Sequence, residues 1–336
     1  MLIKKNVGGV LVAALLAVLS IFISNFIPFH LIGVGVFALI IGMLLNPLVI
    51  KFTSLEKGFN FTSKKILRLA IVLMGTTLSF KQVLTVGKFS LIVMIFTLLT
   101  AFGGGYLLGK LLKMDWKLSG LISAGTGICG ASAIAAIAPT IDADDSHVAY
   151  AISATFIFDV LMVVLFPIMG HYFGMTDLGY GLWTGTAVND TSSVVAAGYA
   201  FSDTAGSFSV IVKLTRTLSI IPVVLIFSYI NERLTNAQPA SRKKKSLDLK
   251  KVFPWFILMF LGVVAIKSTG LIPDTISETI SNISKFLMVM SLGAIGLKTN
   301  FLKLSKSGFA PMVHGFTISA LVVMISFLVQ MALGQV

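Results

Sequence analysis

The feature that most limits what this chain can become is the recurrence of apolar runs long enough to cross about 30 Å of hydrocarbon. Hydropathy windows place eleven helices, near 7–27, 31–50, 66–84, 89–112, 118–138, 147–169, 180–200, 207–230, 253–270, 283–297 and 308–333. Charged residues make up only 12% of the 336, and mean hydropathy is +0.97. A soluble domain averages about 25% charged residues, so this little charge cannot cover a water-exposed surface of such size. The expectation is an all-α polytopic membrane protein. It would have about eleven transmembrane helices in one integral membrane domain over 1–336.

The net charge of +13 raises the question of nucleic acid, and its distribution answers against it. The basic residues gather between apolar runs: Lys4 and Lys5; Lys51 to Arg68; Lys110, Lys113 and Lys117; Arg233 to Lys251; and Lys298 to Lys306. Alternate loops carry them, which predicts a cytoplasmic N-terminus and an external C-terminus. The run after Lys4 and Lys5 is too long for a signal-peptide core and reads as an uncleaved first helix. A basic cytoplasmic linker over 231–252 separates helices 1–8 from helices 9–11, and its Arg242–Lys245 run could also attract anionic lipid or a soluble partner. Asp142, Asp144 and Asp145 read as an external loop that caps the helix following it, in preference to a calcium site. Cys129 is the single cysteine, which excludes an intrachain disulfide and a cysteine zinc cluster.

Two polar stretches interrupt the apolar pattern. Gly125 to Pro139 reads GTGICGASAIAAIAP, and Gly181 to Pro222 holds Thr184, Thr186, Asn189, Asp190, Thr191, Ser192 and Ser193, then Lys213 and Arg216. At an offset of sixty positions, Gly125-Thr126 meets Gly185-Thr186 and Ser132 meets Ser192. Glycines beside hydroxyls at bilayer depth permit broken helices at the midplane, where protein or a water-filled cavity satisfies the freed backbone. A half-helix starting there turns bare N–H groups toward an anion. A fainter likeness joins Leu73–Lys81 to Leu292–Lys298 and suits an inverted repeat. The Gly125/Gly185 likeness fits that plan only if one of its segments is re-entrant.

Lys213 and Arg216, at i and i+3, share a helix face, and charge at such depth usually lines a pathway. Arg grips an oxyanion bidentately while Lys adds a point charge; snorkelling is the plainer reading of Lys213. Asp190 and Asp159 are the buried carboxylates. Each could pair with Arg216 or carry a proton. His314 reads as a hydrogen-bonded structural residue. No Gly-x-Ser-x-Gly elbow, Walker motif or His/Glu zinc pattern occurs, so neither an enzyme nor an ATP-driven pump is expected, and no cofactor or metal.

The segments Gly125–Ile134, Gly185–Ala197 and Val212–Arg216 resemble the YeiH-like family of bacterial membrane proteins, which carries the label of sulfate exporters. Asn189 stands where many relatives are expected to have His. The resemblance covers nearly the whole chain. It implies a secondary transporter in the bacterial plasma membrane, distantly similar to the cation/proton antiporter and bile-acid transporter superfamily, with a core of crossed, broken helices beside a scaffold or dimerisation domain. The expected partners are thus a small inorganic or sulfonated anion, membrane lipid and a second copy of the chain as a homodimer, with no nucleic acid. The expected substrate-binding residues are Gly125, Thr126, Gly127, Gly130, Ser132, Thr186, Asn189, Thr191, Ser192, Lys213 and Arg216, with Asp190 and Asp159 for coupling. Two rivals remain: a sodium or proton antiporter using Asp159 and Asp190, and a membrane-embedded sensor or regulator acting through the Arg242–Lys245 loop.

Overall fold

The computed structural model describes residues 7–24, 34–49, 51–236, 254–299 and 308–335. Among them every regular element is helical. Six helical runs are long and apolar enough to cross a membrane, and Val34–Val49 and Trp255–Ser268 are shorter apolar helices. The basic run Arg242–Lys245, most of the 231–252 linker and Lys4–Lys5 lie outside the described residues.

One group of helices forms a scaffold: α1 (Val7–Ser24), α2 (Val34–Val49), α3 (Thr53–Phe61), which continues through a π-turn into α4 (Leu67–Met74), then α14 (Trp255–Ser268) and α15 (Asp274–Lys298). Small residues set its close crossings. A Cβ on Gly296 would lie 2.2 Å from the Leu39 carbonyl oxygen, and one on Gly42 would lie 2.6 Å from that of Gly293. Ser284 Oγ donates to the Ala70 carbonyl (2.7 Å) and Ser277 Oγ to that of Thr76 (2.5 Å), so α15 runs antiparallel to α4. Without a hydrophobic force between helices in lipid, close backbone approach and interhelical hydrogen bonds carry the association.

The second group contains α5 (Phe80–Leu99), α6 (Gly105–Leu111), α7 (Trp116–Ala124), α8 (Ala131–Ile137), α9 (Asp145–Tyr172), α10 (Asp177–Ala187), α11 (Thr191–Phe201), α12 (Asp203–Thr217), α13 (Ile220–Asn236) and α16 (Phe309–Ala332). Ser79 opens α5 with a reciprocal capping box to Gln82. A turn at Leu218–Ser219 separates α12 from α13, so Pro222 falls in the first turn of α13, where a missing N–H is tolerated.

Two segments expected to span, 118–138 and 180–200, are helical hairpins. In the first, α7 enters, a π-turn (Gly125–Cys129) ends it, and α8 returns. Lys117 Nζ donates to the Asp142 carbonyl at 2.9 Å, so both ends of the hairpin lie together. In the second, Ser202 Oγ donates to Asp177 Oδ1 at 2.5 Å, Tyr180 Oη donates to the Ala197 carbonyl at 2.9 Å, and the Tyr180 and Phe201 rings stack at 4.0 Å. The Asp142–Asp145 loop therefore shares an end with Lys117, contrary to the expected separation. Asp144 occupies the N-cap position of α9 without a side-chain capping hydrogen bond.

α9 joins the end of the first hairpin to the start of the second. At 28 residues it is about 42 Å long, so the hairpins approach from opposite ends of the protein. Their tips meet: a Cβ on Gly130 would lie 3.1 Å from both Cβ and Oδ1 of Asp190. Gly130 has φ 62° and ψ −135°, a backbone state essentially restricted to glycine. The interruptions are thus paired hairpin tips, so the helices are broken where the two glycine-hydroxyl stretches suggested.

Replacing Gly296 with Val forces two backbones apart, and overpacking of this kind costs about 1–3 kcal/mol. Gly296→Val is expected to lower the midpoint of thermal unfolding in detergent, and an unchanged midpoint would contradict the α2–α15 crossing.

Candidate functional site

Incoming limbs α7 and α10 end at the hairpin tips, and a helix C-terminus leaves carbonyls without intrahelical partners. α12 packs along both limbs of the second hairpin because Gly181, Gly185 and Gly198 let it approach. It brings Lys213 and Arg216, both fully buried, to the junction. Arg216 Nε donates to the Gly127 carbonyl (2.6 Å), Nη1 to that of Thr186 (2.6 Å), and Nη2 to that of Thr126. Lys213 Nζ donates to the carbonyls of Ile128 (2.8 Å) and Val188 (3.0 Å). One helical turn of α12 therefore clasps both tips, with positive charge at the negative ends of two half-helices. Lys213 does not snorkel. The guanidinium fork expected to face an anion directly is occupied by backbone carbonyls.

The amide side of the second tip is held by carboxylates. Asp159, fully buried at the middle of α9, accepts the backbone N–H of Asn189 (2.9 Å) and of Asp190 (3.0 Å). Asp190 is the N-cap of α11, accepting from Ser192 N at 2.9 Å and from Ser192 Oγ. Among the described residues, neither aspartate forms an ion pair with Lys213 or Arg216. Every polar backbone group exposed by a break needs such a partner at bilayer depth.

The other expected residues divide between buried and open positions. Gly125 packs tightly against Ile134 and Thr155, and Gly127 abuts Ala101. Thr126 Oγ1 lies 3.3 Å from Ser319 Oγ, Thr186 Oγ1 lies 2.6 Å from Ser326 Oγ, and Asn189 Nδ2 donates to Ser319 Oγ at 3.2 Å. Thr191 and Asp190 are half-buried, and Ser192 is buried. Ser132 is exposed, as are Ala135 and Pro139 further along the same limb. Its hydroxyl turns back to the Cys129 carbonyl at 2.8 Å. The first tip thus differs from the second: α8 begins at Gly130 with no side-chain cap, beside an open face of small residues.

Ser319, Ser326 and Gln330 on α16 were not anticipated. Their signal is polar residues at i, i+7 and i+11 of an otherwise apolar helix, one stripe that backs both hairpins. His314 on the same helix lies 2.9 Å from Ser119 Oγ and 3.0 Å from the Gly105 carbonyl, a structural tie between α6, α7 and α16. Lys298 ends α15.

Residues 8–315 match the model of a family described as conserved hypothetical protein 698. The chain belongs to this family. A relative from Clostridium tetani, named a UPF0324 membrane protein, is 75% identical over 342 residues, covering 99% of each chain. UPF0324 membrane proteins of Streptococcus pneumoniae serotype 4 and Fusobacterium nucleatum are 43% and 37% identical, covering 91% and 98% of this chain and 90% and 99% of their own. With the long apolar helices above, the protein is a multi-pass membrane protein.

The exposed limb yields a test. In a Cys129→Ala background, Ser132→Cys is expected to react with a water-soluble maleimide in the folded protein, whereas native Cys129, 1% exposed, stays unmodified until unfolding. Equal protection of both thiols would contradict the exposure of Ser132 on the open side of α8.

Proposed function

We propose that this protein is a secondary transporter for a small anion, sulfate or another sulfur oxyanion or sulfonate, working by alternating access with ion coupling. The observation that carries this reading is the pair of hairpin tips meeting at the middle of α9, with Lys213 and Arg216 directly behind them. An interrupted helix pair entering from each end places one site between two barriers, which is what alternating access requires. Buried positive charge behind the tips, the half-buried Thr191 hydroxyl and the uncapped start of α8 favour an anion on the open side. Arg216 and Lys213 act on it through the tips they hold in place, and by their field.

The buried charges also argue for coupling. Lys213 and Arg216 share the junction with Asp159 and Asp190, and among the described residues none of the four is in an ion pair with another. An added anion calls for added positive charge, supplied by protons or cations at the carboxylates. The basic loops support the same proposed orientation, with the N-terminus cytoplasmic and the C-terminus external. Exchanging two spans for two hairpins leaves the termini on opposite sides, with the Lys117 end of the first hairpin cytoplasmic and the Asp177 end of the second external.

Counterflow of labelled sulfate in proteoliposomes tests the reading, and uptake above protein-free liposomes is expected, competed by other sulfur oxyanions. Arg216→Ala leaves carbonyls at both tips without donors, each costing about 1–3 kcal/mol. Arg216→Lys keeps the charge and loses the fork, so both variants are expected to lose most of the flux. No uptake by folded, reconstituted protein would overturn sulfate as substrate; normal flux in Arg216→Lys would overturn the clasp.

A further inference from the structure

We propose that Asp159, Asn189, Ser319 and Thr126 form a binding site for one sodium-sized alkali cation. Asp159 is fully buried at the middle of α9, and its two described hydrogen bonds come from backbone N–H groups, which carry no net charge. The two cations nearest in the fold are committed elsewhere. Lys213 Nζ is bonded to the carbonyls of Ile128 and Val188, and Arg216 to those of Thr126, Gly127 and Thr186. A buried carboxylate without an ionic partner is costly.

Beside it lies an unused acceptor. Asn189 is fully buried, its Oδ1 has no hydrogen-bond partner, and its Nδ2 is fixed on Ser319 Oγ at 3.2 Å. The backbone N–H of the same residue is on Asp159 Oδ1 at 2.9 Å, so amide oxygen and carboxylate belong to one local cluster. Ser319 Oγ also meets Thr126 Oγ1 at 3.3 Å, and each hydroxyl can turn a lone pair outward. The result is an all-oxygen set with one negative charge, at bilayer depth. Oxygen ligands suit hard cations, and a single carboxylate among neutral oxygens balances a monovalent ion. Among the described residues no three His, Cys, Asp or Glu side chains gather at one point, so the donor set for a more highly charged metal is missing here.

The four ligands come from four places: Thr126 from the tip of the first hairpin, Asn189 from the tip of the second, Asp159 from α9 and Ser319 from α16. An ion bound among them ties the tips to each other and to the helices behind them. This deepens the carrier proposed above by naming its coupling ion, and the coupling role rests on that reading. The binding site itself stands without it.

The test uses the full-length protein in detergent, without sulfate. Thermal unfolding is followed while sodium chloride replaces choline chloride at constant ionic strength. A ligand that binds only the folded state raises the midpoint with its concentration. Expected is a saturable rise with sodium that choline does not give. Loss of one ligand in Ser319→Ala should move the half-effect concentration up roughly 10–100-fold, and Asp159→Asn should abolish the rise. Should Asp159→Asn fail to fold, Ser319→Ala alone decides. A wild-type midpoint indifferent to sodium, or variants that respond as the wild type does, would overturn the site. Sulfate counterflow separates the two readings. Sodium stabilisation without sulfate flux removes the carrier and keeps the cation site, while sulfate flux without sodium stabilisation does the reverse.

Discussion

Two helices that stop in mid-membrane leave carbonyls that water cannot reach, and the structure depends on how those carbonyls are met. Arg216 and Lys213 meet them for both hairpins at once, from one turn of α12. An unsatisfied polar group in hydrocarbon costs several kcal/mol, so neither break would persist alone. Asp159 and Asp190 do the complementary work for the amides of the second tip. The buried charges that first suggest a binding site are therefore also what allows the backbone to be interrupted there.

This arrangement explains the division of the molecule. The scaffold of α1–α4, α14 and α15 is joined by close glycine crossings and serine-to-carbonyl bonds. The hairpin group is organised around α9, α12 and α16. Between them the packing is largely apolar, through residues such as Met74, Leu182, Val195, Phe260 and Met288. The described polar side-chain links between the two groups include Tyr199 Oη on Met74 Sδ and the Lys285–Asp203 ion pair at 2.7 Å. A cavity of about 280 Å³ lies beside that ion pair, lined in part by Val195, Tyr199 and Leu292. A smooth apolar seam has few directional bonds to break when one group shifts against the other.

Much of this was legible in the sequence, for identifiable reasons. Charge at bilayer depth is rare enough that Lys213, Arg216, Asp159 and Asp190 stood out, and the sixty-residue offset between Gly125 and Gly185 reflects two hairpins whose tips fall near Gly130 and Asp190. The Gly125/Gly185 likeness left one re-entrant segment open, but hydropathy could not show two, because two half-helices laid end to end have the length and hydropathy of one span. The clasp was hidden too. Its acceptors are backbone carbonyls, which leave no residue type to read, so Arg216 looked like a ligand for an anion. Ser319 and Ser326 passed unnoticed because isolated serines on an apolar helix usually signal close packing.

The central claim is that 118–138 and 180–200 turn back at mid-membrane instead of crossing. Sidedness of single cysteines, placed at Lys117, Asp142, Asp177 or Ser202 in a Cys129→Ala background, tests it directly with a membrane-impermeant thiol reagent on vesicles of both orientations. Two re-entrant hairpins predict that Lys117→Cys and Asp142→Cys label from one side, and Asp177→Cys and Ser202→Cys from the other. Labelling of Lys117→Cys and Asp142→Cys from opposite sides would contradict the account, because that is the pattern of a segment that crosses.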